Sequence, residues 1–157
     1  GLRNPMMLWR WMTQALAARR AVVLVIVVES VGSAPGKVGD KMAVSDDAII
    51  GSIGGGVLEY AAVRRAREML RAQSNAPQWL QRAHVADHPL ASGAVCGGEQ
   101  TLLFYPCPAE ALEVFQTLSD DDGGSVRCLT LSAAGVSLSM ATSDDSPVSH
   151  RAGDRWY

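Results

Sequence analysis

The residues best placed to do chemistry lie where a short apolar run enters consecutive glycines and a helical pattern leaves them: Ile49-Ile50-Gly51-Ser52-Ile53-Gly54-Gly55-Gly56-Val57-Leu58-Glu59. Three missing side chains open the backbone N–H groups to a ligand and permit positive φ. A helix starting there points its first, unpaired N–H groups and the positive end of its dipole at the same spot. A chain can hold an anion this way without a lysine. The competing reading is a tight strand-to-helix crossover packed closely on a sheet. The stretch is neither a Walker A loop nor a dinucleotide fingerprint, since neither G-x-x-x-x-G-K-[ST] nor a correctly placed G-x-G-x-x-G is met. Glu59 falls in the first helical turn, where a carboxylate offsets the dipole or closes a capping box.

A second glycine-rich loop, Gly32 to Asp40, brings Ser33, Lys37 and Asp40 beside flexible backbone. Two such loops so close in sequence imply that something approaches the backbone closely. Cys96 precedes Gly97 and Gly98 in a stretch that is loop by composition. Near helix N-termini its thiol would be acidified and could act as a soft ligand or sulfur carrier; otherwise it is an ordinary loop cysteine. Cys107, between two prolines, and Cys128, inside a strand pattern, read as buried small hydrophobes. His84, Asp87 and His88 suggest metal ligation, but Pro89 interrupts the segment and no further ligands are spaced for a structural zinc.

The elements that must position these groups follow from periodicity. Pro5 to Arg20 reads as a helix, with proline in its first turn and two arginines in its last. Trp9 and Trp11 cannot share one face of it, so one of them meets solvent or a partner. Ala21 to Val28, β-branched and without alternation, predicts a strand buried on both faces. Lys41–Ser45 and Ala48–Ile53 predict a hairpin turning at Asp46-Asp47. Val57 to Gln73 is an amphipathic helix, broken by Asn75 to Pro77, and Gln78–Ala83 reads as one more helical turn. Gln100–Tyr105 is a strand, Ala109–Leu118 a short helix, and Val126–Leu131 with Val136–Ala141 a final strand pair. The order predicts an α/β class, a mixed sheet flanked by helices, in a single compact domain over 1–157, with 107–157 continuing the same sheet.

With 157 residues, 48% hydrophobic and 19% charged, the chain can bury a real core. A net charge of −2 gives no reason to expect nucleic acid or an anionic membrane. Ala21–Val28 is too short to span a bilayer, and no signal peptide is evident. Three cysteines in no paired spacing argue against a disulfide framework, so the cytoplasm is the expected compartment.

Taken together, Gly32-Ser33-Ala34-Pro35 with Gly39-Asp40-Lys41-Met42, then Gly51-Ser52-Ile53-Gly54-Gly55-Gly56-Val57-Leu58-Glu59, then Cys96-Gly97-Gly98 resemble the xanthine dehydrogenase accessory family (XdhC/CoxI). That family carries these motifs in this order and at similar intervals, and the resemblance covers about residues 5 to 106. It implies a maturation factor that binds the molybdenum cofactor (molybdopterin) transiently and inserts it into a xanthine dehydrogenase-type molybdenum hydroxylase apoenzyme. A homodimer and a cysteine desulfurase partner are implied as well. Carried over by motif, Ser33, Gly54, Gly55 and Gly56 surround the anionic part and Cys96 stands near the metal, with Glu59, Gly97 and Gly98 completing the set. Val57 stands where many family members have cysteine, which argues against a two-cysteine scheme. Longer relatives continue into a Rossmann-like domain, and no G-x-G-x-x-G follows Tyr105 here. The rival readings are a sulfurtransferase or redox enzyme with Cys96 as persulfide carrier, and a nucleotide-binding assembly module.

Overall fold

The computed structural model describes residues 5–84, 98–120, 127–140, 150–151 and 155–156. Helix α1 (Pro5–Ala17) leads into β1 (Val23–Val31), then β2 (Lys41–Val44), β3 (Ile49–Gly51), α2 (Gly56–Arg71), β4 (Gln78–His84) and β5 (Glu99–Pro106). A 3₁₀ turn (Ala109–Ala111) enters α3 (Leu112–Asp120), and β6 (Arg127–Ser132), β7 (Gly135–Met140), β8 (His150–Arg151) and β9 (Arg155–Trp156) follow. The first five strands form one sheet in the order β3-β2-β1-β5-β4, every pairing antiparallel.

The continuous apolar run of β1 is explained by its central place. One set of its residues (Leu24, Ile26, Val28) packs with Leu8, Met12 and Leu16 of α1 and Phe115 of α3. The alternate set (Val23, Val25, Val27) packs with Leu58, Ala62, Ala66 and Met69 of α2. Helices therefore cover both faces of the sheet, as the α/β reading requires. Trp9 is buried and stacks on Phe115 at 5.6 Å between centroids, while Trp11 lies half-buried with the Arg20 guanidinium 5.8 Å over its ring. The hairpin forms at Asp46-Asp47, with Val44 opposite Ile49 and the Ser45 N–H donating to Ala48 O at 3.0 Å.

Both long helices end in a Schellman motif whose left-handed residue is not glycine. In α1 that residue is Arg19 (φ 60), with Arg20 N–H donating to Ala15 O and Arg19 N–H to Leu16 O. In α2 it is Gln73 (φ 53), with Ser74 N–H donating to Met69 O and Gln73 N–H to Leu70 O.

Two expectations are corrected. Gln78–Ala83 is not a helical turn: it is the edge strand β4, paired with β5 from Gln78 opposite Phe104 to His84 opposite Glu99. Too few residues separate the proline break from this segment's end to nucleate a helix, whereas an unfilled β5 edge offers a ladder at once. The chain beyond residue 107 does not continue the first sheet either, because β6 pairs with β7 on one side and β9 on the other in a separate four-stranded sheet. It joins the core instead: Leu131 is buried among α1 and α3 residues, and the Tyr105 hydroxyl donates to Ser132 O at 2.8 Å.

Candidate functional site

Backbone, not side chains, builds the junction where the motifs meet. Loop 32–40 leaves β1 and folds back over the end of the sheet. Its turn is closed by Lys37 N–H donating to Asp40 Oδ2 (2.9 Å) and Asp40 N–H to Lys37 O (2.9 Å). The Gly39 N–H donates to Val27 O at 2.8 Å, and the Ser30 hydroxyl donates to Gly36 O at 2.8 Å. The loop is then pressed from two sides. A Cβ on Gly54 would lie 2.5 Å from Gly36 N, and one on Gly98 would lie 2.1 Å from Ala34 N. Neither glycine tolerates a side chain there. The first and second glycine motifs and the end of the third therefore come together in space.

The glycine turn divides the two readings given to it. Gly54 (φ 113) is a close-packed crossover position. Gly55 (φ 76) and Gly56 (φ 73) are open, since a Cβ on either would meet nothing within 4 Å. Gly55 caps α2 with no side chain of its own, and Glu59 takes over that duty. Its Oε1 accepts from the Ser52 hydroxyl (2.6 Å), Ile53 N–H (2.9 Å) and Gly55 N–H (3.1 Å), while Ser52 Oγ accepts from Gly54 N–H (3.1 Å). Thus Glu59 fills the inner part of the expected cradle with the protein's own carboxylate, as a capping box does from one residue earlier. The N–H groups of Gly56, Val57 and Leu58 make no hydrogen bond among the described residues and remain for an incoming acceptor.

Of the other expected positions, Ser33 is exposed, and it is Ser30 that pins the loop. Lys37 is exposed as well. Gly98 lies in the junction, whereas Cys96 and Gly97 are outside the described residues, as are Asp87 and His88. The His84 imidazole lies 2.9 Å from Glu99 Oε1 across the β4–β5 ladder. Cys107 and Cys128 are free thiols, Cys128 buried and Cys107 half-buried; burial pushes Cys107 up to about 12.

Sequence reading missed Gln100. It is 1% exposed, on the α2-facing side of β5 between Gly98 and Leu102, and neither of its amide heteroatoms has a hydrogen-bond partner among the described residues. A Cβ on Gly36 would fall 2.1 Å from both Gln100 Nε2 and Ile53 O, so the amide lies at the contact of the two glycine loops. The available signal was alternation: in Gln100-Thr101-Leu102-Leu103-Phe104 the inward positions 100, 102 and 104 hold one polar residue among apolar ones. Lys41, also passed over, donates to Gly39 O at 2.9 Å, and burial lowers its pKa against the opposing effect of Asp40.

The class defined by these features is an α/β module whose sheet end is lined by main chain rather than side chains. Residues 15–82 match the model of the XdhC and CoxI family, and over that segment the resemblance carried by the motifs is borne out. A crystal structure of a xanthine dehydrogenase from Bacillus halodurans shares the fold, with a TM-score of 0.60 at 18% identity. The overlap takes in 79% of this chain and 38% of that one, so this chain spans well under half of its length. No curated protein matches the chain in sequence. Among the described residues, no helix is long and apolar enough to cross a membrane.

Proposed function

We propose that this protein binds the molybdenum cofactor and inserts it into a xanthine dehydrogenase-type molybdenum hydroxylase, acting as a carrier rather than a catalyst. The observation that carries the reading is the convergence of the glycine motifs on one spot, where Gly54 and Gly98 each meet the backbone of loop 32–40. The residues fit the group. A phosphate needs several N–H donors and space, and Gly56, Val57 and Leu58 supply the donors beside two glycines with open flanks. Gly54 sets the turn, Glu59 ties it through Ser52 and Gly55, and Ser33, exposed on loop 32–40, is the proposed further donor to the same anion.

Cys96, two residues before Gly98, is the proposed thiolate beside the metal, with Gly97 giving it a main chain unhindered by a side chain. When bound, the cofactor supplies a phosphate anion and a dithiolene-held metal; the protein supplies donors, shelter from water and release. The partner set that goes with this reading is the hydroxylase apoenzyme, a cysteine desulfurase and a second copy of this chain, in the cytoplasm.

The test is molybdenum retained by the purified protein on ultrafiltration with the free cofactor. Wild type is expected to retain it, and both Cys96→Ser and Gly55→Val to weaken retention at least tenfold with the circular dichroism spectrum unchanged. Undiminished retention by both variants overturns the site. An alkylation-sensitive Cys96 that turns over with a sulfur donor would instead make the protein a sulfurtransferase.

A further inference from the structure

Gln100 poses a problem that the carrier reading does not use. Its carboxamide is 1% exposed with both heteroatoms unpartnered, in a layer where Leu102, Phe104 and Val27 are apolar. Methionine or leucine would fill such a place without cost, whereas an unpaired buried amide is destabilising and calls for a reason. What covers the amide is loop 32–40, through Gly36, where any side chain would collide. The bonds that hold this loop down, from Ser30 Oγ to Gly36 O and from Gly39 N–H to Val27 O, do not involve Gln100. Together with Val27 N–H donating to Asp40 O, these bonds close the loop on this side, and the amide takes no part in them. Beneath it, the amide lies against Ile53, one residue from the turn that opens onto the free N–H groups of α2.

We propose that Gln100 is the specificity-determining residue of this site, pairing with the cis-amide edge of a pterin-type heterocycle once loop 32–40 lifts. A carboxamide presents one donor and one acceptor side by side, and its complement is a ring edge with one acceptor and one donor, such as the N3–H and C4=O of a pterin. That pairing satisfies both groups that the closed protein leaves unmet. The inference rests on the cofactor-carrier reading and adds to it the part of the ligand that is read.

The experiment measures binding of pterin, 3-methylpterin and guanosine, with thermal unfolding, for wild type and Gln100→Met. Wild type is expected to bind pterin at least tenfold more tightly than 3-methylpterin, which lacks the N3 donor. Q100M is expected to bind pterin at least tenfold more weakly, to lose the discrimination, and to melt about 2–4 °C higher without ligand. Pterin binding equal to wild type in Q100M, or a lowered melting temperature, would show a water-satisfied structural amide and overturn the assignment. Guanosine bound more tightly than pterin would reassign the edge to a nucleotide. If wild type and Q100M retain the molybdenum cofactor equally, this inference fails and the carrier reading stands; if wild type binds neither pterin nor cofactor, both fall.

Discussion

At the scale of single residues, Glu59 carries more than any other side chain at the junction. One oxygen satisfies a hydroxyl and two main-chain N–H groups, so truncation strands several donors at once. Glu59→Ala is expected to cost about 2–4 kcal/mol, read as a lowered urea midpoint, whereas an exposed carboxylate would cost almost nothing. Cys107 and Tyr105 carry a pH prediction. Burial raises the thiol from 9.0 to about 12 and, with a smaller effect from Cys107, the phenol from 10.0 to about 12. Both groups keep in the folded state protons that the unfolded chain releases. Their contribution is therefore complete below about pH 9 and is lost as pH rises towards 12. Urea midpoints measured from pH 7 to 11 should fall above pH 9, and Cys107→Ala should flatten the first part of that fall. At pH 7.5 the native Cys107 thiol should resist alkylation.

At the scale of elements, the glycines separate into two kinds. Gly55→Ala should cost about 1–3 kcal/mol, because its backbone (φ 76, ψ −171) lies in a region open essentially to glycine alone while its flank is open. Gly36→Ala, Gly54→Ala and Gly98→Ala should each cost more, about 3 kcal/mol or above, since the added methyl meets main chain or the Gln100 amide closer than 3 Å. Equal losses across all four, measured by denaturant unfolding, would mean the loops do not press together. The helix ends give the opposite sign. Arg19→Gly and Gln73→Gly each relieve a left-handed side chain and should add about 0.5–1 kcal/mol. Much of this level was legible in the sequence: β1 from its unbroken β-branched run, the hairpin from Asp46-Asp47, α2 from its apolar stripe. Gln78–Ala83 was not, because six residues carry too little period to separate a turn of helix from an edge strand, and only the waiting edge of β5 decides. Gln100 escaped for a related reason: a polar residue at a strand's first position reads as surface until the covering loop is known.

At the scale of the whole molecule, the second sheet shares the first sheet's core without sharing its ladder. Leu131 enters the α1–α3 layer, and one hydroxyl, that of Tyr105, reaches across to Ser132 O. Tyr105→Phe should lower stability by about 1 kcal/mol, and amide exchange at β6–β7 should quicken more than at β1–β5. No local pattern in residues 107–157 announced this, since alternation reports which face is buried and not which neighbour a strand pairs with.

Glu59 has one further consequence. The Ile53 and Gly55 N–H groups, just before α2, are claimed from within by a carboxylate. In the proposed site an arriving anion would meet the three outer N–H groups beside that carboxylate, so its grip should be light and its residence brief. A berth with that balance favours exchange over storage: occupancy should follow the surrounding concentration quickly, and screening salt should weaken it less than it would a lysine-lined pocket.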